Sequence, residues 1–447
     1  MKNLFILLCA TCALLSSPAR AVDIQQVTGE KSGVKAWLVE DHKLPIISMH
    51  FAFQGGSEQD PVDKQGLSTL TMNALTEGAG PYTAASFQQQ LADNSITLDF
   101  NAERDEIDGG IKSLSADKQK AFELLHLALT KPRFDAKDIE RLRAQQLSMI
   151  RQQFSNPNWQ GRYALFTQIF AAHPYGERHL GSTLTLSAIT RDDIKNFAAL
   201  HLARDNVTVA VAGDITPAEL SAALDAIFAG LPAHAQLTQI ADVAEPTDTP
   251  TILVKREGTQ TDMLFAMPGP KRADPDWYAA EIANYILGGG GFSSRLMHDV
   301  RDKKGLTYGV STGLAPAQHD GLIIGQAAVD NPKTAEALET MRDTMRRFHD
   351  DGRPTAREIT AAKDYLTGSQ PLALTSTDKI AAVLVSMQRD NLGSDYLDRY
   401  SEIIRSVTAK DIDRAIDRWF NPDKITWVMV GKPEGITPTQ IKDTVKQ

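Results

Sequence analysis

The chain is 447 residues long, 42% hydrophobic and 23% charged, with a formal net charge of −9 and two cysteines. Length and composition describe a folded protein of roughly two to three domains, which excludes disordered, collagenous and coiled-coil chains. The acidic balance, with no basic stripe, argues against nucleic-acid binding, because phosphate neutralisation needs clustered Lys and Arg.

In chain order, the first element is an export signal. Lys2 precedes an apolar run over residues 4–15, and Pro18-Ala19-Arg20-Ala21 offers a small-residue cleavage site. The run is shorter than the ~20 residues a spanning helix needs, so residues 1–21 are expected to be a signal peptide and the chain periplasmic. Cys9 and Cys12 both fall in that segment, which leaves the exported chain without disulfide or thiol chemistry. No later apolar run approaches membrane length, so no membrane span is expected.

Period-two alternation over residues 46–53 and 96–100 predicts strands, and amphipathic spacing over 117–129 and 135–150 predicts helices. The pattern then repeats. Met49-His50-Phe51-Ala52-Phe53 matches Met263-Leu264-Phe265-Ala266-Met267 at an offset of 214, and Asp60-Pro61 matches Asp274-Pro275. Asp135-Ala136-Lys137-Asp138-Ile139 matches Thr355-Ala356-Arg357-Glu358-Ile359, while Ile189-Thr190 and Asp193-Ile194 match Val407-Thr408 and Asp411-Ile412. Matches that stay in register across the chain mark a tandem duplication. The expectation is an α+β fold of two homologous domains, 22–232 and 252–447, each a mainly antiparallel β-sheet flanked by helices. A polar stretch punctuated by Pro246 and Pro250, residues 233–251, reads as the linker.

In the second half, Gly288 to Gly291 reads as a flexible connection into a helix over 292–304, with Gly305 as its C-terminal cap. Arg301 then sits in the last helical turn and Tyr308 on the next strand. By spacing alone these could be a helix cap and a half-buried strand aromatic, or a pair of hydrogen-bond donors. Gly309-Val310-Ser311-Thr312-Gly313 fits a nucleophile-elbow pattern, but no helix start follows it, so a strand is expected. No two histidines stand at i and i+4, and His42/His50 and His173/His179 lack a carboxylate at ligand spacing, so surface and cap roles are expected.

With these stretches, His173-Pro174-Tyr175-Gly176 and the strand ending Gly213-Asp214, the sequence resembles the pitrilysin/insulinase-like metallopeptidase family, in its small bacterial and mitochondrial-processing-type members. The resemblance covers essentially the whole chain after the leader and is most specific over 289–308. Catalytic members carry H-x-x-E-H on a helix; matched residue by residue, those positions hold Thr69, Met72 and Asn73, which cannot make a zinc-hydroxide site. The family's further Glu ligand falls in 145–153, which contains no carboxylate. No metal or other cofactor is therefore expected in this chain. The resemblance implies that Arg301 and Tyr308 are catalytic, binding the substrate carbonyl and stabilising the oxyanion of the tetrahedral intermediate. It also places Asn101 and Ala102 on the family's substrate-binding edge strand. It thus implies the non-zinc subunit of an exported heterodimeric metallopeptidase that cleaves oligopeptides, with zinc in a homologous partner subunit. The alternative is a catalytically inactive homologue that binds peptides or serves as a scaffold.

Overall fold

The structure, a computed structural model, describes residues 22–244 and 246–445, so the expected leader lies outside the described residues. From the N terminus come β1 (Gln25–Thr28), β2 (Lys35–Glu40), β3 (Ile46–Gln54), the short pair β4 (Gly78–Ala79) and β5 (Tyr82–Thr83), then β6 (Thr97–Ala102), β7 (Glu106–Leu114) and β8 (Val207–Gly213). Apart from the short pair, these form one sheet ordered β1-β2-β8-β3-β7-β6. The second half supplies β9 (Thr251–Lys255), β10 (Gln260–Pro268), β11 (Thr307–Pro316), β12 (Gly321–Asp330), β13 (Thr426–Gly431) and β14 (Gln440–Lys442), ordered β11-β12-β10-β13-β9-β14. Both sheets are mainly antiparallel; β2 runs parallel to β8, and β9 runs parallel to β13 and β14. The α+β fold with two repeated sheet-and-helix halves is the one the sequence implies.

The repeat extends to single rungs. Met49 opposes Val211 across β3 and β8, and Met263 opposes Met429 across β10 and β13. Phe51 faces Gly109 and Phe265 faces Gly325 on the neighbouring strands. A Cβ on Gly109 would lie 2.6 Å from the Phe51 ring, and one on Gly325 would overlap the Phe265 ring. Each half therefore omits a side chain to seat a buried Phe in mid-sheet. The matched Thr190/Asp193 and Thr408/Asp411 are capping boxes that open the helices Arg191–His201 and Ala409–Trp419.

Both faces of each sheet are covered, which explains strands too apolar for a half-exposed sheet. Val209 and Val211 join the core beneath the first half's own helices. Ala210 and Ala212 face the other way and pack against Ala381 and Leu384 of the helix Thr377–Arg389, which belongs to the second half. Reciprocally, Ala164 and Leu165 of the helix Pro157–Ile169 lie against Ile252, Leu264 and Val428 of the second sheet. A Cβ on Gly161 would collide with Leu264, so glycine sets that close approach. The halves thus exchange covering helices.

A polar cluster also joins them. The Tyr175 hydroxyl donates to Asp105 and accepts the His319 N–H at 3.1 Å, while Asp105 accepts the Gln318 N–H at 2.9 Å. Glu58 is buried beside it, its carboxylate 3.5 Å from His319 Nε2. His173 caps the turn at Pro174–Gly176, its Nδ1 accepting the Tyr175 N–H at 3.1 Å, which is the cap role expected of it.

Two expectations need correction. Residues 292–304 are not one helix: Gly291–Ser293 is a 3-10 turn, and Met297–Asp302 is wound as a π-helix. Gly291 takes φ of 55°, and the Ser294 hydroxyl bonds back to its carbonyl at 2.8 Å, which interrupts the winding. Nor are Gly288 and Gly289 a connection, because Tyr285–Gly289 extends the helix Trp277–Asn284 in π form. A Cβ on Gly288 would lie 2.9 Å from the Thr312 amide, so the glycine lets this segment sit against β11.

Candidate functional site

Arg301 and Tyr308 are brought together by a helix end and a strand irregularity. The π-helix closes at Gly305, whose φ of 60° suits glycine and whose N–H bonds the Arg301 carbonyl at 2.8 Å. The chain enters β11 at Thr307, where the register with β12 shifts between Thr307 and Val310. The bulge spans Tyr308 and Gly309 and is braced by the Thr307 hydroxyl, 2.7 Å from the Ala328 carbonyl and 3.1 Å from the Gly309 N–H. Bulges re-aim side chains. Tyr308 is accordingly 90% exposed, not half-buried. The Arg301 guanidinium lies 4.9 Å from the centre of the exposed Phe292 ring, with Nη1 2.7 Å from the Asp302 carboxylate. That ion pair is solvent-exposed and holds weakly, so a substrate oxygen can compete for the guanidinium.

Both side chains line one cavity of about 400 Å³, with Asp302, Thr307, Asp330 and Lys333 around them. Arg301 offers N–H donors and Tyr308 an O–H, the groups suited to a carbonyl oxygen that gains charge.

Thr69, Met72 and Asn73 lie on the helix Leu67–Leu75. That helix starts at Gly66, where φ is 91°, and Asp60 accepts the Gly66 and Ser68 N–H groups, each at 2.9 Å. Deep burial pushes the Asp60 carboxyl up to about 7 despite these bonds. The Thr69 hydroxyl donates to the His179 carbonyl at 3.0 Å, and Met72 is buried in the core. In the stretch 145–153, Gln146 spends its amide N–H groups on the Gly66 and Leu180 carbonyls. Among the described residues, no group of three His, Cys, Asp or Glu could hold a metal. A threonine, a thioether and amides do not fit zinc, so this chain does not carry the family's metal.

Asn101 and Ala102 end β6, the free edge of the first sheet. They line a second cavity, of about 490 Å³, together with Thr69, Met72 and Asn73. The structure thus gathers Thr69, Met72 and Asn73, the positions matched to the zinc motif, and the edge strand into one site. Arg301 and Tyr308 line another, and the two cavities share no lining residue.

The second cavity also holds residues that sequence reasoning missed. Trp159, Arg162, Tyr163 and Phe166 of Pro157–Ile169 line it, Phe166 also packing against the cluster on the second sheet. Their i, i+3, i+4, i+7 spacing was the available signal. The guanidinium of Arg162 lies 5.2 Å from the Phe166 ring centre, Arg104 4.9 Å from the same ring, and Arg178 4.7 Å from Tyr163. Burial lowers the pKa of Arg104 against the pull of Asp105.

Residues 36–183 match the family model described as insulinase (peptidase family M16), and residues 188–366 match that of the peptidase M16 inactive domain. The chain is 25% identical over 336 residues to the non-peptidase homolog YmxG of Helicobacter pylori, spanning 74% of this chain and 77% of that protein. It is 25% identical over 248 residues to an uncharacterized zinc protease, also called YmxG, of Bacillus subtilis, spanning 55% of this chain and 58% of that one. A solved peptidase M16 inactive domain from Pseudomonas fluorescens superposes with a TM-score of 0.86 at 29% identity, over 93% of this chain and all of that one. A protease from Helicobacter pylori shares the fold, with a TM-score of 0.81 at 19% identity over 92% of this chain and 99% of that one.

Proposed function

Because the chain belongs to the insulinase-type M16 peptidase family, we propose that it is the non-zinc subunit of an exported heterodimeric metallopeptidase that cleaves oligopeptides. The observation that carries this reading is Tyr308, lifted clear of the sheet by a bulge and set beside Arg301 in an open cavity. With its ring 90% exposed, Tyr308 adds little to the packing of the sheet. A homologous partner carrying H-x-x-E-H would supply the zinc, which Thr69, Met72 and Asn73 cannot hold. This chain's part is to bind: the Tyr308 O–H and Arg301 N–H groups donate to the scissile carbonyl oxygen and strengthen as it becomes an oxyanion. Asn101 and Ala102 present the free edge of β6, along which an extended peptide pairs by its main chain. The periplasm as its compartment follows from the signal-like residues 1–21.

The test mixes the chain with a homologue that carries H-x-x-E-H. A one-to-one complex in sedimentation, with chelator-sensitive peptide cleavage that neither chain gives alone, is the expected result. The Helicobacter relative's description as a non-peptidase homolog favours a second reading, an inactive peptide-binding or scaffold protein. Peptide binding by the isolated chain, with no activity gained in any mixture, would establish that reading instead.

A further inference from the structure

We propose that the cavity at the degenerate zinc-motif positions is a carboxylate pocket that binds the carboxyl group of an extended peptide, either its C terminus or an Asp or Glu side chain. The inference rests on the reading of β6 as a peptide-binding edge and adds the chemistry recognised beside it.

Three arginines, Arg104, Arg162 and Arg178, line this cavity, and among the described residues none is ion-paired with a carboxylate. The chain carries 56 acidic against 47 basic residues, so unpaired guanidiniums gathered at one site are not explained by a shortage of partners. Of the cavity's own acids, Glu177 accepts from the Gln65 amide and Glu103 is exposed; neither forms a salt bridge with the three, and Arg104 alone feels the nearby charges of Asp105 and Glu103. Each guanidinium lies instead against an aromatic ring. Arg104 and Arg162 share Phe166, and Arg178 lies on Tyr163, itself stacked 5.3 Å from Trp159 with the planes 3° apart.

A guanidinium held over an aromatic ring makes no hydrogen bond to it, so its N–H groups remain available to receive a planar carboxylate by two parallel hydrogen bonds. Aromatic support also restrains the side chains before the ligand arrives, which lowers the entropic cost of binding. A volume of about 490 Å³ holds a peptide terminus or side chain, and Asn101 and Ala102 at the rim belong to the free strand edge. Where the family holds a metal ion, this chain gathers organic cations.

The test titrates the full exported chain by fluorescence anisotropy against a labelled peptide of alternating valine and serine. It is used as the free acid, the C-terminal amide, the amide with one internal Glu, and the N-methylated free acid. The free acid is expected to bind at least about tenfold more tightly than the amide, the value of one charge-assisted hydrogen bond. Arg162→Gln and Arg178→Gln, at positions not buried in the core, should each erase that ratio by lowering the affinity of the free acid toward that of the amide. Recovery of affinity by the internal Glu would assign the pocket to acidic side chains, and no recovery to the C terminus. Equal affinity of all carboxylate and amide forms, survival of the ratio in both arginine variants, or no binding of any peptide would each overturn the proposal. N-methylation separates it from the strand reading: a preserved acid-to-amide ratio with no effect of N-methylation keeps the pocket and removes edge pairing. The converse result removes the pocket alone.

Discussion

Glu58→Gln is expected to flatten the pH dependence of stability between pH 4.5 and 7. Glu58 is 6% exposed at the junction of the two halves, and its Oε2 has no hydrogen-bond partner. Burial, and then the charge of Asp105, push its carboxyl from an ordinary 4.5 up to about 7, against the weaker pull of the Gln59 amide and Arg104. The folded chain therefore keeps a proton that the unfolded chain releases near pH 4.5. That bound proton stabilises the fold fully below pH 4.5, and the contribution is lost as pH rises through about 7. The span corresponds to about 3 kcal/mol, at about 1.4 kcal/mol for each tenfold change in proton affinity. Asp60, also raised to about 7, is present in both proteins and cancels in their difference. The assay is urea unfolding at fixed pH from 4.5 to 7.5, with the variant compared to the unmodified chain. If the halves unfold in separate steps, the effect falls on the step that exposes Glu58. Relative to the unmodified chain, the variant should gain about 3 kcal/mol across this range. Profiles parallel within about 0.5 kcal/mol, or a difference of opposite sign, would refute the argument.

Other outcomes follow from the packing. Leu384→Ala, fully buried between the exchanged helix and the first sheet, should cost about 2–5 kcal/mol in denaturant unfolding, although Leu384 lies in the second half's sequence. Leu184→Ala, at an exposed position, should stay within about 0.5 kcal/mol of the unmodified chain in the same measurement. Gly325→Ala should cost about 1–3 kcal/mol by thermal or chemical unfolding, because the new methyl enters the space of the Phe265 ring.

Much of this architecture was legible in the chain because duplication leaves local signals. The offset of 214 placed Met49 and Met263 on equivalent rungs, and the matched Thr and Asp pairs turned out to be capping boxes. The exchange of covering helices was not legible. Pro157–Ile169 packs small and apolar residues, with Phe166, toward the second sheet and lines the cavity with aromatic and cationic ones, so it carries no simple amphipathic stripe. Its partner strands lie far along the sequence, and no local pattern reports them. The parallel pairing of β2 with β8 was hidden for the same reason. The bulge at Tyr308 had one local hint, Gly309 inside a strand, but a register shift depends on the opposing strand. It was the family resemblance, matched residue by residue, that marked Thr69, Met72 and Asn73 as lost zinc positions. The gathering of Arg104, Arg162 and Arg178 in the same cavity could not be read, because they come from three separate segments.

The measurement that bears most directly on the split site is the turnover of the reconstituted mixture when this chain carries Tyr308→Phe. The substitution removes one hydroxyl from an exposed ring and should leave folding and assembly unchanged. If Tyr308 donates to the oxyanion, kcat falls by about 10²–10³-fold with KM little altered, and Arg301→Ala lowers kcat/KM as well. An unchanged kcat with Tyr308→Phe, in a complex of normal stoichiometry, would contradict the assignment of half an active site to this chain.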